Sequence, residues 1–151
     1  MVQKNMKILV TGNMGYVGPV VCRYLRNKYD NLYLCGYDTG YFAHSLTAAS
    51  VLPESILNEQ RFGDMRDFPF DLLNDVDAVV HLAAISNDPL GNQFDDVPVD
   101  INRTCTVSLA EEAAKRRVKS FVFASSCSMY GAASSSARTE YDSTNPLTAY
   151  A

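Results

Sequence analysis

The segment Thr11-Gly12-Asn13-Met14-Gly15-Tyr16-Val17-Gly18 limits what this chain can become more than any other. It follows the short apolar run Met6-Lys7-Ile8-Leu9-Val10 and opens onto an amphipathic stretch. A strand, a three-glycine turn and a helix in that order make a phosphate cradle. Gly12 can take the tight turn out of the strand, and Gly15, lacking a Cβ, can let backbone N–H groups approach a pyrophosphate. Gly18 lets the helix lie close on the sheet, and the helix N-terminus offers unpaired donors and a positive dipole end. Three glycines alone describe many strand–helix turns. The added signal is an acid, Asp38, twenty residues beyond Gly18 and at the end of the next apolar run.

The remaining chain alternates in the same way. Residues 7–10 form an apolar run of the kind buried on both faces of a parallel sheet. Tyr16, Val17, Val20, Val21, Tyr24 and Leu25 recur at helical spacing and predict the buried stripe of a first crossover helix, with Pro19 in its first turn. Residues 32–37 predict a second strand. Weak periodicity over 39–53 predicts a loop with at most one helical turn, and 61–64 close a short third strand. A brief helical segment is expected over 70–75 and a fourth strand over 78–84. Asp95, Asp96 and Pro98 mark a helix start, and Ile101, Cys105, Leu109 and Ala113, spaced by four, carry that helix to about Arg117. A fifth strand is expected over 119–126, and a serine-rich loop over 132–137.

Strands alternating with helices specify an α/β doubly wound parallel sheet, because parallel neighbours need right-handed crossovers. The expected strand order is 3-2-1-4-5, with a ligand crossing the carboxyl ends of the strands where the winding reverses. At 151 residues, 47% of them hydrophobic, one domain spanning 1–151 is expected. A formal net charge of −4 without a basic block argues against a sequence-independent hold on nucleic acid or on an anionic membrane. Cys22, Cys35, Cys105 and Cys127 are too far apart for a Cys-x-x-Cys zinc site, and no leader or membrane span is read, so a reduced, cytoplasmic protein without a metal is expected.

Asp38 is suited to accept the hydroxyls of an adenosine ribose and to repel a 2′-phosphate, and no arginine follows it within 39–43, which favours NAD over NADP. His81 is read as structural. Asp64 reads either as a turn acid or as a contact to a ligand, and Asn102 either as a polar residue inside a helix or as part of a site.

Several motifs together carry a resemblance. Thr11-Gly12-x-x-Gly15-x-x-Gly18, Gly63-Asp64-x-Arg66-Asp67, His81-Leu82-Ala83-Ala84, Asn102, Ser125-Ser126-x-x-x-Tyr130-Gly131 and Tyr150 resemble the extended short-chain dehydrogenase/reductase family, in its branch of nucleotide-sugar epimerases and dehydratases. The resemblance runs from Met6 to Ala151. It implies a Rossmann-like domain and cofactor contacts at Gly12, Gly15, Tyr16, Val17, Gly18, Asp38, Thr39, Asp64, Met65, Leu82, Ala83, Ala84, Ser86, Asn102, Ala124 and Tyr150. Asp64 and Met65 would meet the adenine, and Asn102 would sit near the nicotinamide.

By the same resemblance Ser126 would hydrogen-bond the sugar oxygen being oxidised, and Tyr150 would be the base, taking the hydroxyl proton while hydride leaves the sugar carbon. A phenol with a pKa near 10 needs help to ionise, which the family supplies with a lysine four residues on, beyond Ala151. The chain thus resembles the N-terminal part of an enzyme, truncated before its domain ends and without the C-terminal substrate lobe. Cys127 and Ser128 stand where the dehydratases carry an acid pair, which disfavours water elimination. The expected activity is nucleotide-sugar epimerisation through NAD, by a homodimer acting on a nucleotide-diphosphate sugar. A 4-keto-sugar reductase is the alternative within the family, and a non-catalytic NAD-sensing module the alternative outside it.

Overall fold

The computed structural model describes residues 5–42, 52–86, 96–132, 137–148 and 150–151. Five strands form one parallel sheet: β1 (Met6–Thr11), β2 (Leu32–Asp38), β3 (Glu59–Phe62), β4 (Ala78–His81) and β5 (Ser120–Phe123), ordered β3-β2-β1-β4-β5. This is the expected order. Register pairs Val10 with Gly36 on one side and Val80 on the other, so β1 is central and hydrogen-bonded along both edges.

Alternation along β1 divides the core into two layers. Leu9 faces one side with Cys35, Val79, Phe68, Leu73, Leu109 and Ala113, while Ile8 and Val10 face the other with Leu34, Leu32 and Cys22. Helix α1 (Gly18–Lys28) covers the second layer. The first is covered by a longer helix made of α2 (Asp96–Val99), a π-helical segment (Asp100–Cys105) and α3 (Thr106–Lys115), continuous because Val99 and Thr106 both keep helical dihedrals. Helices on both faces, reached by crossovers in opposite directions from β1, are what a doubly wound sheet requires.

Several boundaries differ from the sequence reading. Strand β3 ends at Phe62, leaving Gly63 and Asp64 in the turn beyond it; β4 ends at His81, and β5 covers only Ser120–Phe123. The brief helical segment after Pro69 is a 3-10 turn, Phe70–Leu73, and another covers Pro53–Ile56. Asp95, part of the expected helix start, and most of the serine-rich loop lie outside the described residues.

The larger correction concerns α1. Tyr16, Val17, Val20 and Tyr24, expected on its buried stripe, are exposed, and the side against the sheet is formed by Gly18 and Cys22 with Leu25 beside them. Close approach decides this: a Cβ on Gly18 would collide with the backbone of Asn13, so only the small-residue side fits against the turn leaving β1. Pro19 does sit in the first turn, where it removes no intrahelical hydrogen bond.

The long helix buries the row read from its four-residue spacing, with Leu109 and Ala113 buried and Ile101 and Cys105 packed against the same core. A row spaced by four drifts by about 40° per step around an α-helix of 3.6 residues per turn. The π-helical segment, with its wider turn, falls between Ile101 and Cys105, where that drift needs absorbing. At the C-terminus, Lys115 and Arg116 both pair with Glu112, so this basic cluster serves its own helix.

His81 ties the layers together. It is buried, with Nδ1 2.6 Å from Thr11 Oγ1 at the end of β1 and Nε2 2.8 Å from Thr106 Oγ1 at the start of α3. Burial pushes its pKa down from 6.5 to about 4, so the native state holds the ring neutral. The unfolded chain binds a proton near pH 6.5 and the folded one does not, so this contribution is intact above pH 6.5 and is lost as the pH falls toward 4, by about 3 kcal/mol at the foot of that window. Urea unfolding at a series of pH values is expected to show a steeper loss of stability between pH 6.5 and 4 for the parent than for His81→Gln.

Candidate functional site

The cleft lies at the carboxyl ends of β1, β2 and β4, where the winding reverses. Its wall combines Gly12 and Gly15 with Asp38 and Thr39, Asp64 and Met65, and Leu82, Ala83 and Ala84, as read from the sequence, and adds Tyr37, Phe42, Gly63, Ile85 and Ile101. The stretches leaving β1, β2, β3 and β4 meet there because each exits at the same edge of the sheet, and Ile101 joins them from the π-helical segment.

Gly12 makes the turn possible. Its φ is +70°, and a Cβ would lie 2.6 Å from Ala83 N, so the turn leaving β1 presses directly on the chain leaving β4. Its N–H donates to Tyr37 O at 2.8 Å, fastening it to β2 as well. Gly15 differs: a Cβ there would meet only Gly12 O, at an ordinary 3.4 Å, so the glycine is not demanded by packing and leaves the cleft side open. Just beyond, the N–H groups of Tyr16 and Val17 donate to nothing among the described residues. Two free donors at the start of α1, beside an unobstructed glycine, fit a pyrophosphate.

Asp38, at the end of β2, stands against the same turn. Its Oδ2 accepts from Met14 N–H at 2.9 Å and its Oδ1 from Gly40 N–H at 2.8 Å. Each carboxylate oxygen keeps a lone pair, so the group is held rigid while it can still accept two hydroxyls. Asp64 is committed differently. It caps the 3-10 turn Met65–Asp67 by accepting from Arg66 N–H at 2.9 Å, and it pairs with the Arg66 guanidinium through Nε at 3.0 Å and Nη2 at 2.6 Å. Hydrogen bonding to Arg66 lowers its pKa.

Asn102 does not reach the cleft wall. From the π-helical segment its Oδ1 accepts from Ile85 N–H at 2.8 Å and its Nδ2 donates to Ile85 O at 2.9 Å, a two-point hold on the chain after β4. Ser86 follows, exposed. Ala124, beyond β5, donates its N–H to His81 O at 3.1 Å. Ser126 caps the 3-10 turn Cys127–Tyr130, accepting from Ser128 N–H at 3.2 Å with Ser128 Oγ 2.9 Å away. Tyr150 is half-buried near the chain end, and no hydrogen bond joins it to Ser126. The sequence reading assigned none of Tyr37, Phe42, Gly63, Ile85 and Ile101 to the site; Tyr37 and Ile101 were read as strand and helix residues. Phe42 lies within the loop of weak periodicity that starts at Thr39, and Ile85 is marked only by its partner Asn102.

A cleft of this kind, at the reversal point of a doubly wound sheet and floored by a glycine turn, defines a dinucleotide-binding domain. The NAD dependent epimerase/dehydratase family model matches residues 8–151, and the chain belongs to that family. It is 31% identical over 153 residues to an uncharacterized UDP-glucose epimerase of Bacillus subtilis, covering 96% of this chain and 47% of the relative. It is 29% identical over 141 residues to a UDP-glucose 4-epimerase of Pisum sativum, covering 87% and 39%. Among solved structures, a UDP-glucuronic acid 4-epimerase from Bacillus cereus in complex with UDP-glucuronic acid and NAD superposes with a TM-score of 0.77 at 29% identity, over 96% of this chain and 48% of that one. A UDP-glucose 4-epimerase from Stenotrophomonas maltophila with bound NAD superposes with a TM-score of 0.77 at 27% identity, over 97% and 44%. The chain spans about half the length of the curated relatives it matches. No helix among the described residues is long and apolar enough to cross a membrane.

Two substitutions separate the cleft from its scaffold. Gly15→Val is expected to weaken NAD at least about 10-fold by calorimetry, close to 1.4 kcal/mol, with little change in melting temperature, because its Cβ meets no wall. Asn102→Ala strands the Ile85 N–H and C=O, and is expected to lower stability by about 1–3 kcal/mol in urea unfolding.

Proposed function

We propose that this chain is the cofactor-binding part of an NAD-dependent nucleotide-sugar epimerase. One observation carries the reading: the glycine turn, Asp38 and the chain after β4 line a single cleft, and Ser126 stands beyond the carboxyl end of β5, the strand next to β4 in the sheet. A cofactor anchored at β1 and β2 and extending toward β4 would direct its reactive end to Ser126. The membership of the family and the NAD in similar solved structures support NAD as the cofactor.

In this reading Tyr16 and Val17 donate their N–H groups to the pyrophosphate, and Asp38 accepts the adenosine ribose hydroxyls. Gly12 and Gly15 keep the wall thin, and Leu82, Ala83 and Ala84 form the apolar side that excludes water. Bound NAD supplies a hydride acceptor that later returns the hydride. Ser126 hydrogen-bonds the hydroxyl oxygen of the sugar. Tyr150 takes that hydroxyl's proton as the carbon gives up its hydride, leaving a keto sugar. Return of hydride to the other face, with the proton handed back by Tyr150, yields the epimer with no net oxidation. Turning the keto sugar over is the task of a substrate lobe outside this chain.

Tyr150→Phe in the protein carrying that lobe is expected to bind NAD as the parent does and to lose at least about 100-fold in turnover, within the range general acid–base groups contribute. Incubation with UDP-, dTDP-, GDP- and CDP-sugars and analysis of the products checks the activity itself. A new sugar epimer supports the proposal. Net consumption of reduced cofactor with a 4-keto sugar would indicate a reductase instead, and NAD binding with no change in any sugar would indicate a sensing module.

A further inference from the structure

We propose that Phe42 is the platform on which the adenine base stacks, so that the base is held chiefly by a ring in the loop after β2. This rests on the cofactor reading above. With the pyrophosphate at Tyr16 and Val17 and the ribose at Asp38, the base must continue past Asp38, over the β2–β3 side of the cleft. The wall there consists of Thr39, Phe42, Gly63, Asp64 and Met65. Phe42 brings the one exposed ring among these, 57% exposed although it lines the cleft. Met65 is buried in the floor.

The loop is built to present that ring. Gly40 has φ +69° and turns the chain back toward the cleft, its N–H bonded to Asp38 Oδ1 at 2.8 Å. Tyr41 N–H bonds Thr39 Oγ1 at 3.3 Å, and the Tyr41 and Phe42 rings meet edge to face, centroids 5.1 Å apart at 86°. One carboxylate therefore sets both the ribose position and the turn that carries the ring. The other candidate for reading the base, the Asp64 carboxylate, already accepts three hydrogen bonds from Arg66. A flat base against an exposed phenyl ring gains stacking and removes apolar surface from water, and needs no free acceptor.

The sequence contains no tryptophan, so Phe42→Trp places a single reporter at the site. Saturable quenching of its emission by NAD and by ADP-ribose, with no response to nicotinamide mononucleotide, is expected. Phe42→Ala is expected to bind ADP-ribose about 10-fold more weakly than the parent by calorimetry, with Phe42→Tyr close to the parent. Because Phe42 is exposed, the melting temperature should stay unchanged in all three variants. Parental affinity in Phe42→Ala, or unresponsive emission from Phe42→Trp while calorimetry registers ADP-ribose binding, would overturn the proposal and leave the cofactor reading standing. Failure of the parent itself to bind NAD and ADP-ribose would overturn both.

Discussion

The contact on which the molecule turns is between Gly12 and Ala83. Two neighbouring parallel strands, β1 and β4, both end here, and their exits press together so closely that no side chain fits between them. That closeness brings the turn after β1 within reach of the β2 exit, where Asp38 takes the Met14 N–H. Just beyond that turn, at the start of α1, the Tyr16 and Val17 N–H groups donate to nothing among the described residues. The cleft depends on this approach, because a wider turn would carry Met14 away from the carboxylate that accepts its N–H.

Around that contact sits a set of polar ties that are individually ordinary. His81 bridges Thr11 and Thr106, Asn102 holds Ile85, and Asn13, buried under the turn, donates to Gln60 Oε1 at 2.6 Å. All are buried or half-buried side chains with their hydrogen bonds made, as burial of polar groups demands. Together they fasten the loops at the carboxyl edge to strands and helices. The position of Asn102 in a π-helical segment fits this role, since the widened turn carries its amide to the chain leaving β4.

Strands β1, β2 and β4 were legible because residues buried on both faces must be apolar throughout, and a glycine turn after the first of them announces a crossover; β3, Glu-Gln-Arg-Phe at the sheet edge, carries no such run, and its bounds were read two residues late. The glycine loop and Asp38 were legible for the same reason, since their spacing follows from the geometry of one strand–helix–strand unit. The face of α1 was misread because its largest apolar residues, Tyr16, Val17, Val20 and Tyr24, are not the ones a close-packed helix can bury; the contact with Asn13 admits Gly18 and Cys22 instead. Asn102 was visible as a polar residue in a helix but not as a clamp, because its partner Ile85 offers only backbone. Phe42 left no pattern at all, being placed by the Gly40 turn and the Asp38 carboxylate rather than by any periodicity.

The central claim is that the start of α1 receives the cofactor's pyrophosphate while Asp38 stays as it is. Backbone amide spectra recorded with and without NAD test it most directly. The account predicts that the Tyr16 and Val17 N–H groups shift and exchange more slowly with solvent when NAD is added, while the Met14 and Gly40 N–H groups, already bonded to Asp38, keep their protection. Saturating NAD that leaves the Tyr16 and Val17 amides unshifted and freely exchanging would contradict it.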